Sequence, residues 1–463
     1  MLVEWDKVTL PRIVIAAPGT GQGKTTVATG LMAALRARGM TISGHKVGPD
    51  YIDPGYHAVA CGRPGRNLDP HLVGERRIGP LFLHGVHTPV TADLAVIEGV
   101  MGLFDGRVGT EGFASTAHVA RLTRSPVVLV VDISRSSRTV GAVVHGLETY
   151  EPGIEVAAVV LNRAGSPRHA AEVISALRLP VLGVIPRDDR LATPSRHLGL
   201  VPAAEQDQAE AVVDAWRVAI AEHVNLDAVV EVARTAPDLI ETPWSATAEV
   251  RPVSGSPIVA MAGGRAFTFR YAETEELLRA AGCQVAVFDP MVDPHLPDGT
   301  AAIYLGGGFP EVHAPALTDN VMLRRELAAA VADGVPTVAE CAGLLYLCST
   351  LDSSPMVGSI DAAATMTERL TLRYPTMTAT TDNLLSRAGE LSTGHEFHRT
   401  QTQPERGAVA AWTVEGRDVG FAGPTIHASY LHTHWAGHPA MAQRFAQAAS
   451  RHGRPWPTMT DHG

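Results

Sequence analysis

The amino-acid sequence predicts two consecutive α/β domains, the first of them doubly wound. In the first half, short β-branched runs without alternation are separated by longer stretches of helical period. A proline-rich lapse interrupts this pattern near residue 240, and the pattern then restarts. Unalternating apolar strands of this kind belong to parallel sheets covered on both faces.

The predicted strands of the first half are 12–16, 94–97, 126–131, 156–161 and 181–185, with a helix over 26–38. Between about Thr235 and Pro257, four prolines and little periodicity read as a linker. Strands follow at 257–262, 284–288, 301–305 and 335–339, with helices over 273–281 and 322–332. The expected boundaries are a first domain over 1–240, a linker over 241–256, a second domain over 257–448 and a loosely ordered polar tail over 449–463.

With 45% hydrophobic and 19% charged residues, the 463-residue chain has material for packed cores and is not a disordered sequence. A net charge of −10 without any Lys/Arg run argues against a nucleic-acid partner or a basic interfacial helix. No apolar run suggests a membrane span and the first residues do not read as a signal peptide, so a cytoplasmic location is expected. Four cysteines without a C-x-x-C pair support neither a disulfide framework nor a zinc ribbon. Only three lysines occur, Lys7, Lys24 and Lys46, among 38 basic residues.

The first predicted strand runs into Ala17-Pro18-Gly19-Thr20-Gly21-Gln22-Gly23-Lys24-Thr25-Thr26 and then a helix. This is the strand–loop–helix context of a P-loop. Gly19, Gly21 and Gly23 let backbone N–H groups approach phosphate, Lys24 reaches the β/γ-phosphates, and Thr25, followed by Thr26, can hold Mg²⁺. Pro18 stands where the motif wants its first glycine. Glu98, at the carboxyl end of a strand, falls in the ligand crevice of such a sheet and can coordinate Mg²⁺, with a helix-capping or surface acid as the alternative. Asp105 follows in the same glycine-rich turn. The segment His45 to Pro54, with Lys46, Asp50, Tyr51 and Asp53, reads as a loop that cannot be core: either a metal-binding substrate loop or a solvated corner.

In the second half, Val335 to Tyr346 reads as strand, sharp turn and helix, with Cys341 at the turn. A nucleophile there is held strained and exposed at a helix N-terminus, which favours thiolate. Taken alone, a cysteine after an apolar run is more often inert core. Two further features favour catalysis. Leu305-Gly306-Gly307-Gly308 offers unhindered N–H groups for an oxyanion, and His432 and His434 offer a base. Cys348 is expected to pack inside the following helix.

These residues make the chain similar, over nearly its whole length, to the cobyrinic or hydrogenobyrinic acid a,c-diamide synthases, two-domain glutamine amidotransferases of cobalamin biosynthesis. The run Lys46 to Pro54 carries the resemblance most specifically, with Ile97 to Gly106 and Ile185 to Asp189 in support. Pro18 is usual in that family. The resemblance implies a dethiobiotin-synthetase-like P-loop domain followed by a class I, flavodoxin-like glutaminase domain. Most class I glutaminases carry H-x-E, whereas His432 is followed at that position by His434. This implies a Cys341–His432 dyad, with His434 as the alternative base. Gly394 to Arg399 also resembles a family segment, substrate-side, domain-contacting or structural.

The implied chemistry is ATP-dependent amidation by a carbon–nitrogen ligase. Cys341 and His432 would release ammonia from glutamine, with Gly307 and Gly308 holding the oxyanion, and the ammonia would pass to the first domain. There Mg·ATP on Lys24 and Thr25 would phosphorylate a substrate carboxylate, because an amine does not displace oxide unaided. Thr25, Asp50 and Glu98 are expected around the metal, and Asn162 at the adenine. Lys46, Asp50, Tyr51, Asp53, Asp105 and Arg187 are expected at the tetrapyrrole polycarboxylate. A homodimer is an admissible assembly. Amidation of a related tetrapyrrole such as nickel-sirohydrochlorin is one alternative. A partition-type switch ATPase is another, although its signature has a lysine where this chain has Gly19, and so is a dethiobiotin-type carboxylase with an inactive appended domain.

Overall fold

A computed structural model describes residues 10–191, 195–196, 199–206 and 208–453. The terminal residues 454–463, where most of the expected tail falls, lie outside the described residues. The chain divides into two compact units, Met1–Trp244 and Ser245–Gly463.

The first unit is built on seven parallel strands: β1 (Arg12–Ala16), β2 (Ile42–Val47), β3 (Arg66–Leu68), β4 (Leu94–Glu98), β5 (Val127–Asp132), β6 (Val156–Ala164) and β7 (Val181–Pro186). Their spatial order is β3-β2-β4-β1-β5-β6-β7. The central strands β1, β4 and β5 are buried almost throughout, as their continuous apolar runs require. The order reverses about β1, so loops at the carboxyl ends of β1, β2, β4 and β6 open a crevice there. Helix α1 (Lys24–Ala37) starts directly from that edge, and α2 (Asp53–Cys61) follows β2.

Two strands of this sheet were not legible as strands. His45, Lys46 and Val47, read as a loop that cannot be core, are the buried end of β2. A lysine in a strand interior contradicts an apolar pattern, and it is tolerated here because carboxylates surround its ammonium.

The second unit carries a six-stranded sheet in the order Gln284–Phe288, Ile258–Ala262, Thr300–Leu305, Thr337–Glu340, Ile426–Ser429 and Phe421–Ala422. Five strands are parallel, and the edge Phe421–Ala422 runs antiparallel. Two four-stranded sheets, unforeseen in the sequence, occupy the chain between Cys348 and Val419. Their longest strand, Ile360–Arg373, alternates buried and exposed residues over its first half and pairs antiparallel with Glu396–Gln403. The helix after Cys341 is short, Ala342–Leu347, so Cys348 packs at the start of a strand and not inside that helix. Trp244 belongs to the first unit: its N–H donates to the Pro80 carbonyl at 2.9 Å and its ring meets His84 edge-on. The final helix, Pro439–His452, continues past residue 449, where the tail was expected to begin.

Candidate active sites

In the first unit, Gly21 and Gly23 have φ of 79° and 94°, left-handed values that favour glycine. A Cβ on Gly23 would also stand 2.2 Å from Asn162 Nδ2. Lys24 Nζ donates to the Gly19 carbonyl at 3.0 Å and the Met101 carbonyl at 2.5 Å. Burial, with Lys46 nearby, brings the Lys24 amine down to about 8, against the pull of Glu98, Asp53 and Asp105.

Strand register builds the centre of this site. Lys46 on β2 pairs with Glu98 on β4, so both side chains emerge together at the crevice. Lys46, 3% exposed, donates to Asp53 Oδ2 at 2.5 Å, Glu98 Oε1 at 2.9 Å and the Gly99 carbonyl at 3.1 Å. Thr25 Oγ1 donates to Glu98 Oε1 at 2.7 Å, and His57 Nε2 lies 2.7 Å from Glu98 Oε2. Burial works against charge on Lys46, but Asp53, Glu98 and Asp50 outweigh it and hold the ammonium charged. Burial likewise opposes the Glu98 carboxylate, and Lys46, His57 and Thr25 overcome it, taking Glu98 well below its usual range. Asp53 goes the other way, raised by burial and by its neighbours Asp50 and Glu98. One ammonium thus keeps one of two buried carboxylates firmly ionised.

The other expected residues fall in different places. Asp50 Oδ1 accepts from the N–H groups of Ile52 and Asp53 at 2.7 and 3.1 Å, so it shapes the turn into α2. Tyr51 is partly exposed on the same turn. Asp105 Oδ2 accepts from Gly102 N–H at 2.9 Å and closes its own turn, within electrostatic reach of Lys24. Asn162 donates to the Gln22 carbonyl at 2.9 Å and, with Thr26, lines a cleft of about 720 Å³. Arg187, expected beside the substrate with Lys46, instead lines that cleft, its side chain 71% exposed. β7 delivers it to the β6 side of the P-loop, away from β2. Sequence reasoning missed His57, and also Asn67, which donates to the Gly48 and Asp50 carbonyls and pins the Lys46-to-Asp53 turn.

Among the described residues no group of three or more His, Cys, Asp and Glu side chains is arranged to hold a metal ion. The oxygens of Thr25, Glu98 and Asp53 converge, however, and are hard donors. Mg²⁺ is commonly bound by one or two carboxylates plus nucleotide phosphates and water, so this donor set fits it.

In the second unit, Cys341 sits between the strand Thr337–Glu340 and the helix Ala342–Leu347 with φ 49°. A positive φ at a non-glycine residue is the strain expected of a nucleophile turn. The expected exposure is not found: Cys341 is 5% exposed, and burial, with Glu311 adding to it, pushes the thiol far above its ordinary range. The backbone N–H of Ala342, hydrogen-bonded to the sulfur, opposes this without overcoming it.

His432, 2% exposed, packs its ring against Gly307, where a Cβ would stand 2.3 Å from His432 Cε1. The ring also stacks on His395, centroids 4.8 Å apart, and burial brings it down to about 3. His434 faces elsewhere, stacked on Tyr271 with Nε2 3.7 Å from Glu273 Oε2. The expected oxyanion role of Gly307 needs correction. Its N–H donates to the Phe269 carbonyl at 3.1 Å, so this glycine makes room for His432 while its donor is spent. Gly308, with φ 158°, lets the chain pass the Ala266 carbonyl, which a Cβ would approach to 2.1 Å. The segment Gly394 to Arg399 lies against this centre through His395, with Glu396 bound to Arg373 at 2.6 Å.

A P-loop unit with a buried Lys–carboxylate cluster, followed by a unit with a turn-borne cysteine and a histidine packed on a glycine strip, defines a glutamine-dependent, nucleotide-using amide-forming enzyme. Residues 13–201 match the CobQ/CobB/MinD/ParA nucleotide binding domain, and residues 258–440 match the CobB/CobQ-like glutamine amidotransferase domain. The chain is 59% identical to the hydrogenobyrinate a,c-diamide synthase of Thermobifida fusca, over 95% of this chain and 97% of that one. Identity to the enzyme of the same name from Streptomyces coelicolor is 50%, over 95% and 97%. It is 40% to the cobyrinate a,c-diamide synthase of a Synechococcus strain, over 95% and 98%. The chain belongs to the a,c-diamide synthase family of two-domain glutamine amidotransferases.

Proposed function

We propose that the protein amidates the a and c carboxylates of hydrogenobyrinate, using glutamine or ammonia and ATP, in cobalamin biosynthesis. The observation that carries the reading is 59% identity over 95% of the chain to a protein so named. Relatives named for cobyrinate stand at 37–40%, which favours the cobalt-free substrate.

The chemistry follows from the two sites. In the second unit the Cys341 thiol gives its proton to His432 and the sulfur attacks the glutamine amide carbon. Gly308 N–H faces the oxyanion, and His432 returns the proton to the departing ammonia; water then cleaves the glutamyl thioester. In the first unit the P-loop N–H groups and Lys24 cradle the triphosphate, and Lys46 and Asp53 orient the carboxylate that attacks the γ-phosphorus. Mg²⁺ bound with the nucleotide would be held by Thr25 and Glu98 and would neutralise phosphate charge. Ammonia displaces phosphate from the acyl phosphate and leaves the amide. Asn162 and the cleft beside it would take the adenine.

Among the described residues no helix is long and apolar enough to cross a membrane. The reading sets the enzyme in the cytoplasm, where ATP and glutamine are supplied.

Incubation with hydrogenobyrinate, cobyrinate or nickel-sirohydrochlorin, glutamine and Mg·ATP, followed by mass spectrometry, tests the reading. Two successive amidations of hydrogenobyrinate are expected. Cys341→Ala is expected to lose glutamine-dependent synthesis and keep synthesis from ammonia, and Lys24→Ala to lose both. A wild-type protein that releases no glutamate from glutamine overturns the amidotransferase reading.

A further inference from the structure

The mechanism above leaves a buried carboxylate beside its base unused. Glu340 is the last residue of the strand Thr337–Glu340, immediately before the nucleophile, and it pairs with Ser429 on the strand that leads to His432. Its Oε1 accepts from Thr433 Oγ1 at 2.7 Å and Thr433 N–H at 3.2 Å, and its Oε2 accepts from the Tyr304 hydroxyl at 3.1 Å. Thr433 is held in turn by Trp435 Nε1 at 3.1 Å. The carboxylate so fixed presents Oε2 4.0 Å from His432 Nδ1.

We infer that Glu340 is the positioning acid of His432, accepting its Nδ1–H and stabilising the imidazolium that forms when Cys341 gives up its proton. The acid then comes from the residue before the nucleophile. Position 434, two residues after the base, cannot serve, since it is a histidine turned to Tyr271 and Glu273. At 4.0 Å, with the imidazole neutral at rest, the contact is longer than a hydrogen bond, and the inference requires the two groups to close by about 1 Å when the imidazolium forms. The proton moves from sulfur to His432 and on to ammonia, and above pH 7 Glu340 stays ionised throughout. This is where a buried dyad needs help: thiolate and imidazolium are both disfavoured by desolvation, and a fixed carboxylate beside the ring offsets part of that cost.

Facing the ring are Glu340, His395 and His398; facing Glu340 are Tyr304, Thr433, His432 and Cys341. Burial lifts Glu340 to about 7, against the Thr433 and Tyr304 hydrogen bonds. Protonation below that value removes the acceptor, so glutaminase kcat should fall on the acid side of pH 7.

The inference rests on the second unit being a glutaminase, and the test separates the two. In the full-length protein, Glu340→Gln should lower glutaminase kcat about a hundredfold with KM for glutamine within about threefold, and should abolish the acid limb. Glu340→Asp should recover activity to within about tenfold of wild type, and ammonia-dependent synthesis should be unchanged in both. A Glu340→Gln protein with kcat within about threefold of wild type, or with the acid limb intact, overturns the inference. If neither variant retains ammonia-dependent synthesis, ¹⁵N-histidine spectra of the wild type decide, with His432 assigned through His432→Asn. A ring protonated on Nδ1 supports the inference and one protonated on Nε2 overturns it. A wild type without glutaminase activity sinks the amidotransferase reading, whatever the tautomer.

Discussion

The two centres are both buried, and they handle charge in opposite ways. In the first unit Lys46 and Glu98 are paired by strand register and hold each other charged before any ligand arrives, with Asp53 joining them from α2. In the second, burial raises the Cys341 thiol and lowers His432, so the pair rests as neutral thiol and neutral imidazole. The difference suits the chemistry. Phosphoryl transfer works on a polyanion and gains from fixed charge already in place. A glutaminase that stayed charged at rest would expose a reactive thiolate whether or not glutamine was bound.

The largest effect should come from removing the ammonium that holds the first centre together. Lys46→Met leaves Glu98 and Asp53 facing each other in a buried site with His57 and Thr25 as remaining partners. Breaking one side of a buried ion pair costs about 3–5 kcal/mol. Urea unfolding of the variant should show a midpoint well below wild type, and the deficit should be larger at pH 8 than at pH 6, because protonation of a carboxylate relieves the repulsion. Equal stability at pH 8 would mean that the cluster is not charge-compensated as drawn.

Next in size is a change that touches only the neutral centre. Gly307→Ala would set a Cβ 2.3 Å from His432 Cε1 and 3.1 Å from Phe269 Cβ. The His432 ring is stacked on His395, so it has to turn away from its working position. Glutaminase kcat should drop about a hundredfold, the scale of a misplaced base. The overpacking should cost only about 1–3 kcal/mol of stability. Ammonia-dependent synthesis should not change. If synthesis from ammonia fell in parallel with glutamine hydrolysis, the separation of the two centres would be lost.

The same contrast explains what could be read from the sequence. The P-loop was legible because its chemistry is local: glycines, Lys24 and Thr25 sit in one short run between a strand and a helix. Glu98 was legible as an acid at a strand end. Lys46 and Asp53 were legible as residues but not in their setting, because a lysine in a buried strand breaks the apolar pattern and the compensating carboxylates arrive from β4 and α2. His57 gave no local signal; only the packing of α2 on β4 brings it to Glu98. In the second unit the Cys341 turn, the glycine strip and His432 each stand in a short local run that could be read as a candidate, while Gly307 was given a donor that the bridge to Phe269 uses. The strands after Cys348 went unseen because they are largely polar and irregular in register.

The smallest effect, and the most direct probe of the neutral state, is the reactivity of Cys341 itself. A thiol of ordinary pKa nears full alkylation rate by about pH 9, because the thiolate is the nucleophile. Burial, with Glu311 adding to it, holds Cys341 far above that range. Its carboxymethylation, followed by peptide mass mapping without glutamine, should therefore be at least about tenfold slower at pH 8 than that of a cysteine peptide. The rate should still be rising at pH 10. Cys61, Cys283 and Cys348, also buried and raised, provide internal references for slow labelling. A Cys341 that labels faster than these three at pH 7 would carry a resting thiolate, and the two centres would then share one strategy, charge fixed in advance of the substrate.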